Sequence, residues 1–261
     1  MSRHRRPDRR PGRTRARWAA ATAAGALLTP LAVASVPAPT YAGGTGRPAV
    51  VAKRVIGHTV QGRPIRAWRL GDPGNATRVV AFATMHGDEP APRHTLMRLR
   101  DGARIRGVDL WVVPNFNPDG LARGSRYNAR GVDLNRNFPV SWRRQAHSGR
   151  RAASAPETRA VMRFLRNVRP DRVVSFHQPL HGVDTNGSKA PAFARRLARS
   201  LRLPRKNFDC GGGCHGTMTQ WFNRRFAGAC VTVEYGRSPR ARYVNRFAPR
   251  ALLRAVGGRR G

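Results

Sequence analysis

Arg78-Val79-Val80-Ala81-Phe82-Ala83-Thr84 runs straight into Met85-His86-Gly87-Asp88-Glu89-Pro90. The first seven residues are a short apolar run after the turn Gly71-Asp72-Pro73-Gly74-Asn75, and they predict a buried strand over 78–84. A helix is expected next, over 91–100. In open α/β sheets, ligands bind beyond the carboxyl ends of strands. A His and a Glu three residues apart at such an exit can turn onto one point, and imidazole and carboxylate both ligate zinc. His86 and Glu89 are therefore candidate metal ligands. Asp88 between them is expected to orient a ligand or cap the helix, not to bind metal.

Outward from this stretch, further apolar runs predict strands over 65–70, 108–114, 171–177 and 229–234. The first alternates as a half-buried edge strand does. Ser154-Ala155-Pro156-Glu157 has the pattern of a capping box and opens a helix to about 168. Other helices are expected over 192–203, 217–225 and 243–256. Strands alternating with helices indicate an α/β layered fold. Between 121 and 155 there is little periodicity, and loops that long in a compact domain carry function or are disordered.

The chain has 261 residues, with 50 Lys+Arg against 13 Asp+Glu and a formal net charge of +37. Only Lys53, Lys189 and Lys206 are lysines, and the arginines are spread along the whole chain. Such charge favours anionic partners, with acidic wall polymers among them, although a codon bias toward Arg accounts for the composition equally well. No helix-turn-helix, zinc-finger or RNA-recognition pattern accompanies the charge, so dedicated nucleic-acid binding is not expected.

Residues 1–17 are Arg-rich, residues 18–36 are small and apolar, and Thr40-Tyr41-Ala42 offers a cleavage site. That layout reads as a secretory signal over 1–42, with the working domain over 43–261 and no second domain. Pro30 and the low Leu and Ile content argue against a spanning helix, so no membrane span is expected after cleavage. The remainder keeps a net charge of +30 (37 − 7). The expected location is extracellular, with cell-wall association open. In an oxidising compartment Cys210 and Cys214 can close a small disulfide loop, with Cys230 expected as a buried thiol, although the three cysteines can also pair otherwise. The alternative is a metal set of Cys210, Cys214 and His215.

His177 ends the 171–177 strand and Glu234 ends the 229–234 strand. His86, Glu89 and His177 make a two-His, one-carboxylate set, which leaves an open position on zinc as catalytic sites do. Glu234 is placed to act as general base beside it. The alternative for Glu234 is an ion pair with an arginine. His181 rivals His177, but Pro179 between them argues against one helix presenting both. The loop from Arg126 through Asn135 and Arg136 to Pro139 carries amides and guanidinium groups suited to gripping a carboxylate. Arg143, Arg144, Arg150 and Arg151 are expected to be solvated.

His86-x-x-Glu89, Asn117-Pro118-Asp119-Gly120, Gly131-Val132-Asp133-Leu134-Asn135-Arg136-Asn137-Phe138-Pro139, His177 and Glu234, in that order, resemble the zinc carboxypeptidases. The compact spacing is closest to the bacterial murein-peptide amidases of that family. The resemblance implies a three-layer α/β sandwich with a mixed, largely parallel central sheet and helices on both faces. It implies one zinc per chain, held by His86, Glu89 and His177, with Glu234 as general base and acid. It also implies that Asn135 and Arg136 grip a terminal carboxylate and that Arg126 stabilises the oxyanion. The expected substrate is a short peptide or muropeptide with a free carboxylate, cut at the γ-D-glutamyl–diaminopimelate bond. Two alternatives remain: a zinc deacylase of small N-acyl amino acids, and a non-catalytic module binding anionic wall polymers. The 211–220 region departs from the family in its Cys/Gly loop, and no counterpart of the family's mobile tyrosine is assigned.

Overall fold

A computed structural model describes residues 48–186, 188–208 and 214–261. In chain order its elements are β1 (Val50–His58), β2 (Pro64–Gly71), β3 (Arg78–Phe82), α1 (Ala91–Arg100), β4 (Ile105–Arg106), β5 (Asp109–Val113), α2 (Pro118–Arg123), α3 (Pro156–Val168), β6 (Arg172–His177), β7 (Leu180–Asp184), α4 (Pro191–Leu201), β8 (Arg205–Lys206), α5 (Met218–Arg225), β9 (Ala229–Gly236), α6 (Ala248–Ala255) and β10 (Arg259–Arg260). Eight strands form one sheet in the order β1-β2-β5-β3-β6-β9-β7-β8. The central strands β5, β3, β6 and β9 are mutually parallel. Antiparallel β2 and β7 flank them. This is the mixed, largely parallel sheet that the resemblance implied.

Parallel strands covered on both faces read as continuous apolar runs, and β5 is buried at every residue. Alternate residues of β3 feed two cores: Val79 and Ala81 pack on the side of α1, α4 and α6, while Val80 and Phe82 pack on the side of α3 and α5. The sheet is therefore the middle of three layers. The arrangement puts the ends of β3, β6 and β9 along one rim. On that rim His177 and Glu234 are direct partners in neighbouring parallel strands.

Four local expectations need correction. The 65–70 strand expected at an edge is β2, and β1 pairs along its outer side. The helix expected over 243–256 is α6 preceded by a π-helical segment, Tyr243–Phe247. Pro249 lies in the first turn of α6, where it has no N–H to return to the preceding turn and its ring displaces that turn's carbonyl. Ser154 to Glu157 is not a capping box. The cap of α3 is Ala155 with no side-chain bond, the Ser154 hydroxyl accepts from Asn137, and Glu157 takes the Val60 N–H and the Asn128 amide. Asp88 does not cap α1 either: the cap residue of that helix is Pro90, with no side-chain bond.

Residues 1–42 and Cys210 lie outside the described residues, and so do the signal and disulfide expectations that rest on them. Cys214 is disulfide-bonded, which removes it as a thiolate ligand. Cys230 is a free, buried thiol. Among the described residues no helix is long and apolar enough to cross a membrane.

At the sheet end away from the rim, Asp109 is fully buried and joins three strands. It accepts a two-point fork from Arg69 of β2, at 2.8 and 2.7 Å, and a bond from Arg78 of β3 at 2.9 Å. Burial opposes its charge, but the two guanidinium groups outweigh it and hold the carboxyl below 3.8. Replacing Asp109 by Asn is expected to cost about 2–3 kcal/mol, since both arginines keep some contact with water. A depressed carboxylate stabilises the fold above its ordinary pKa and loses that contribution as pH falls through its folded value. Denaturant titrations should therefore show the gap to Asp109→Asn constant near neutrality and closing only in acid below pH 3.8.

Candidate metal centre

The chain leaves β3 through Thr84, which holds a left-handed φ of 57° that a β-branched residue rarely adopts. That turn brings His86 back over the rim. Gly87 then packs against α2 so closely that a Cβ would lie 2.0 Å from the Gly120 carbonyl carbon. Asn117 ties the same contact together, accepting from the Gly120 N–H and donating to the Met85 carbonyl. Asp119 meanwhile takes Thr59, the Gln61 N–H and Arg63. The Asn117-Pro118-Asp119-Gly120 motif thus acts as a seat for the loop that carries His86 and Glu89.

His86, Glu89 and His177 converge, each buried, with one ligand atom apiece inside 4.8 Å of the others. His86 Nδ1 is 2.7 Å from Glu89 Oε1, His177 Nδ1 is 3.1 Å from Glu89 Oε2, and the two Nδ1 atoms are 3.4 Å apart. Both imidazoles turn the same nitrogen inward. Their outer nitrogens are held from behind: His86 Nε2 by Asp133 Oδ1 at 3.1 Å and His177 Nε2 by Ser175 Oγ at 2.9 Å. An outer partner that fixes ring orientation is the usual support of a metal-binding histidine. The donor set suits zinc: two imidazoles, one carboxylate, and all three on one point.

The charges agree with that reading. Burial alone would pull His86 down, but Asp133 and Glu89 outweigh it and raise the imidazole to about 9. Burial would lift Glu89, but His177 and His86 hold it at about 2. Asp133 stays well below the usual carboxylate range despite its burial, because His86 and Arg126 face it. A cation is thus favoured at this point, and a proton fills the role when a metal does not.

Glu234 is buried beside them, and one of its oxygens takes the Leu180 N–H at 3.2 Å. Burial raises its pKa, against the pull of His177. No arginine pairs with it among the described contacts. Arg126 donates Nε to Asp133 at 3.0 Å and reaches Glu89 with Nη1 at 3.4 Å. Asn135 spends its side-chain oxygen on the Met218 N–H, which leaves its amide nitrogen and Arg136 toward the cleft. One cleft of about 750 Å³ is lined by His86, Glu89, His177, Glu234, Arg126, Asn135 and Arg136 together. The seven site residues drawn from the sequence are therefore gathered in one place. His181 is exposed on another cavity and does not face the centre. Arg143, Arg144, Arg150 and Arg151 are exposed as expected.

Asp133, Ser175 and Gln178 bond to the cluster from behind, and none of them was anticipated from the sequence. Gln178 donates its backbone N–H to Glu89 Oε2 and its amide to the Gly236 and Arg237 carbonyls, and it accepts from the Ala91 N–H. Ser175 had a signal: it is the polar residue two before His177 in an apolar strand, on the same face. Asp133 sits inside the motif read for its amides and guanidinium groups. The acid that orients His86 is Asp133, whereas Asp88 is exposed.

The zinc carboxypeptidase family profile matches residues 44–184, which include every proposed site residue except Glu234. Carboxypeptidase SOL1 from Arabidopsis thaliana is 33% identical over 138 residues, 47% of this chain and 28% of that protein. Murein peptide amidase A from Escherichia coli K12 is 31% identical over 169 residues, 57% of this chain and 67% of that protein. The crystal structure of the murein-tripeptide amidase from Escherichia coli O157 superposes with a TM-score of 0.65 at 26% identity, over 78% of this chain and 91% of that one.

Because His86 holds a proton up to about pH 9 without metal, zinc must displace it at neutral pH. Calorimetry in buffers of different ionisation enthalpy is expected to show proton release on zinc binding near pH 7. Asp133→Asn is expected to weaken zinc about 10–100-fold, as loss of an outer partner does, and to reduce that release.

Proposed function

Since this chain belongs to the zinc carboxypeptidase family, we propose that it is a metallocarboxypeptidase that hydrolyses a peptide or amide bond near a free carboxylate. The observation that carries this is the joint placement, in one cleft, of a complete ligand set, a buried carboxylate beside it and a guanidinium–amide pair at Asn135–Arg136. His86, Glu89 and His177 would hold one zinc. When bound, zinc supplies Lewis-acid polarisation of a carbonyl and makes water more acidic.

The remaining steps fall to the protein's own side chains. Arg136, with the Asn135 amide, takes the terminal carboxylate by charge-assisted hydrogen bonds and fixes the scissile bond against the centre. Glu234 accepts the proton of the attacking water and passes it to the amine nitrogen as the C–N bond breaks. Burial raises its pKa, which makes the carboxylate a stronger base toward the water and keeps the proton on it until the amine nitrogen takes it. The Leu180 N–H holds one oxygen so that the other is aimed. Arg126 is fixed through its bonds to Asp133 and Glu89 and lines the cleft, where its guanidinium charge would stabilise the oxygen that gains charge.

Murein amidase relatives at about 30% identity support a peptidoglycan stem peptide as substrate, cut between γ-linked D-glutamate and diaminopimelate. Export is proposed with it. The signal-like layout of residues 1–42 and a disulfide at Cys214 both suit an oxidising compartment.

Glu234→Gln is expected to bind zinc as the wild type does and to lose about 10²–10⁴-fold in kcat on a muropeptide. Metal analysis and turnover, measured on the same preparations, test this. A fully active variant would remove Glu234 from the reaction.

A further inference from the structure

A second cavity, of about 640 Å³, adjoins the catalytic cleft. Pro179 borders both. Its wall combines three guanidinium groups, Arg202, Arg237 and Arg240, with the rings of Tyr243 and Phe247. Among the described residues no acidic side chain lines it. The three arginines are exposed. Arg202 is held in place by stacking over Phe247 at 5.0 Å. The groove continues past Arg202 and Leu203 into a further cavity along α4, where Arg195 and Arg199 stand four residues apart on the helix.

The position of this groove decides what it meets. Asn135 and Arg136 reach the rim from the face that carries α3 and α5, since their neighbours Leu134 and Phe138 pack in that core with Trp221. Leu203, Tyr243 and Phe247, which line the arginine groove, belong to or pack on the core of the opposite face. A substrate gripped by its carboxylate on the first side must cross the sheet rim at His86, His177 and Glu234. It then leaves over Gln178, Pro179 and Leu180 toward the second side. The groove lip is tied to the centre, because Gln178 follows the ligand His177 and donates to the Gly236 and Arg237 carbonyls.

We propose that this groove is a subsite for the amino side of the substrate and that Arg237 and Arg240, with Arg202, take a free carboxylate carried there. It deepens the peptidase reading and rests on it. In a stem peptide the group that fits is the α-carboxylate of the γ-linked D-glutamyl residue. Specificity then lies at both ends: one carboxylate for Asn135–Arg136 and a second, across the scissile bond, for the arginine groove.

The test uses two L-alanyl-γ-D-glutamyl-diaminopimelate peptides, one with the free α-carboxylate on the glutamyl residue and one with it amidated. Binding to zinc-loaded Glu234→Gln protein is measured by calorimetry, and hydrolysis by the wild type is followed separately. The free acid is expected to bind about 10-fold or more tightly than the amide, as loss of a charge-assisted contact implies. The gap should shrink at high salt. Adding Arg237→Gln and Arg240→Gln is expected to remove most of the gap while leaving the amide's affinity unchanged, which also shows that the protein is folded. Arg163→Gln with Arg166→Gln, exposed on α3, is expected to leave the gap intact. Equal affinities, or an equal loss in the α3 variant, would overturn the subsite. If the wild type cleaves both peptides with no gap in binding, only the subsite fails. If neither peptide binds or is cleaved, the stem-peptide substrate fails and the subsite with it.

Discussion

Strands β6 and β9 lie side by side in parallel, with His177 opposite Glu234. Parallel neighbours present equivalent ends to the same rim, so the proposed ligand and the proposed base arise as adjacent residues of one sheet. β3 lies on the other side of β6, and its exit supplies His86 and Glu89. A slip of one residue in β6 would turn His177 to the other face of the sheet and carry Ser175 with it. The buried apolar runs that fix this register therefore also fix the distance between the proposed metal ligands and the proposed base.

The next constraint is electrostatic. In a protein with so few acids, three carboxylates are buried at the rim: Glu89, Asp133 and Glu234. They are not equivalent. Glu89 and Asp133 are held ionised by the histidines, with Arg126 beside them, whereas burial raises Glu234. Groups of one chemical type with pKa values pushed apart mark a division of labour between holding charge and moving protons. Asp109 shows the structural use of the same chemistry at the far end of the sheet, where a carboxylate and two arginines lock three strands.

Much of this was legible in the sequence, and the reason is physical. Central strands covered on both faces leave apolar runs, and β3, β5, β6 and β9 could all be placed from theirs. The site residues at the ends of β6 and β9 interrupt those runs and so stand out. β1 was not anticipated: as an edge strand carrying Lys53 and Arg54 it is largely in contact with solvent and has no such pattern. Asp133 and Gln178 were missed because they act through contacts far apart in the chain, 47 residues from Asp133 to His86 and 89 from Gln178 to Glu89. Ser154 and Glu157 misled for the same reason, since a local capping pattern lost its partners to Asn137, Asn128 and Val60.

The most direct measurement is a crystal structure of the zinc-loaded protein with anomalous data across the zinc edge. The expected result is one zinc at the β3–β6 rim, with His86 Nδ1 and His177 Nδ1 at about 2.0–2.1 Å and a Glu89 oxygen at a similar distance. Asp133 and Ser175 should remain on the outer nitrogens, with Glu234 beside the metal but not bound to it. Zinc ligated instead by Nε2 atoms, by His181 or by His215, or no zinc at this rim, would contradict the proposed centre.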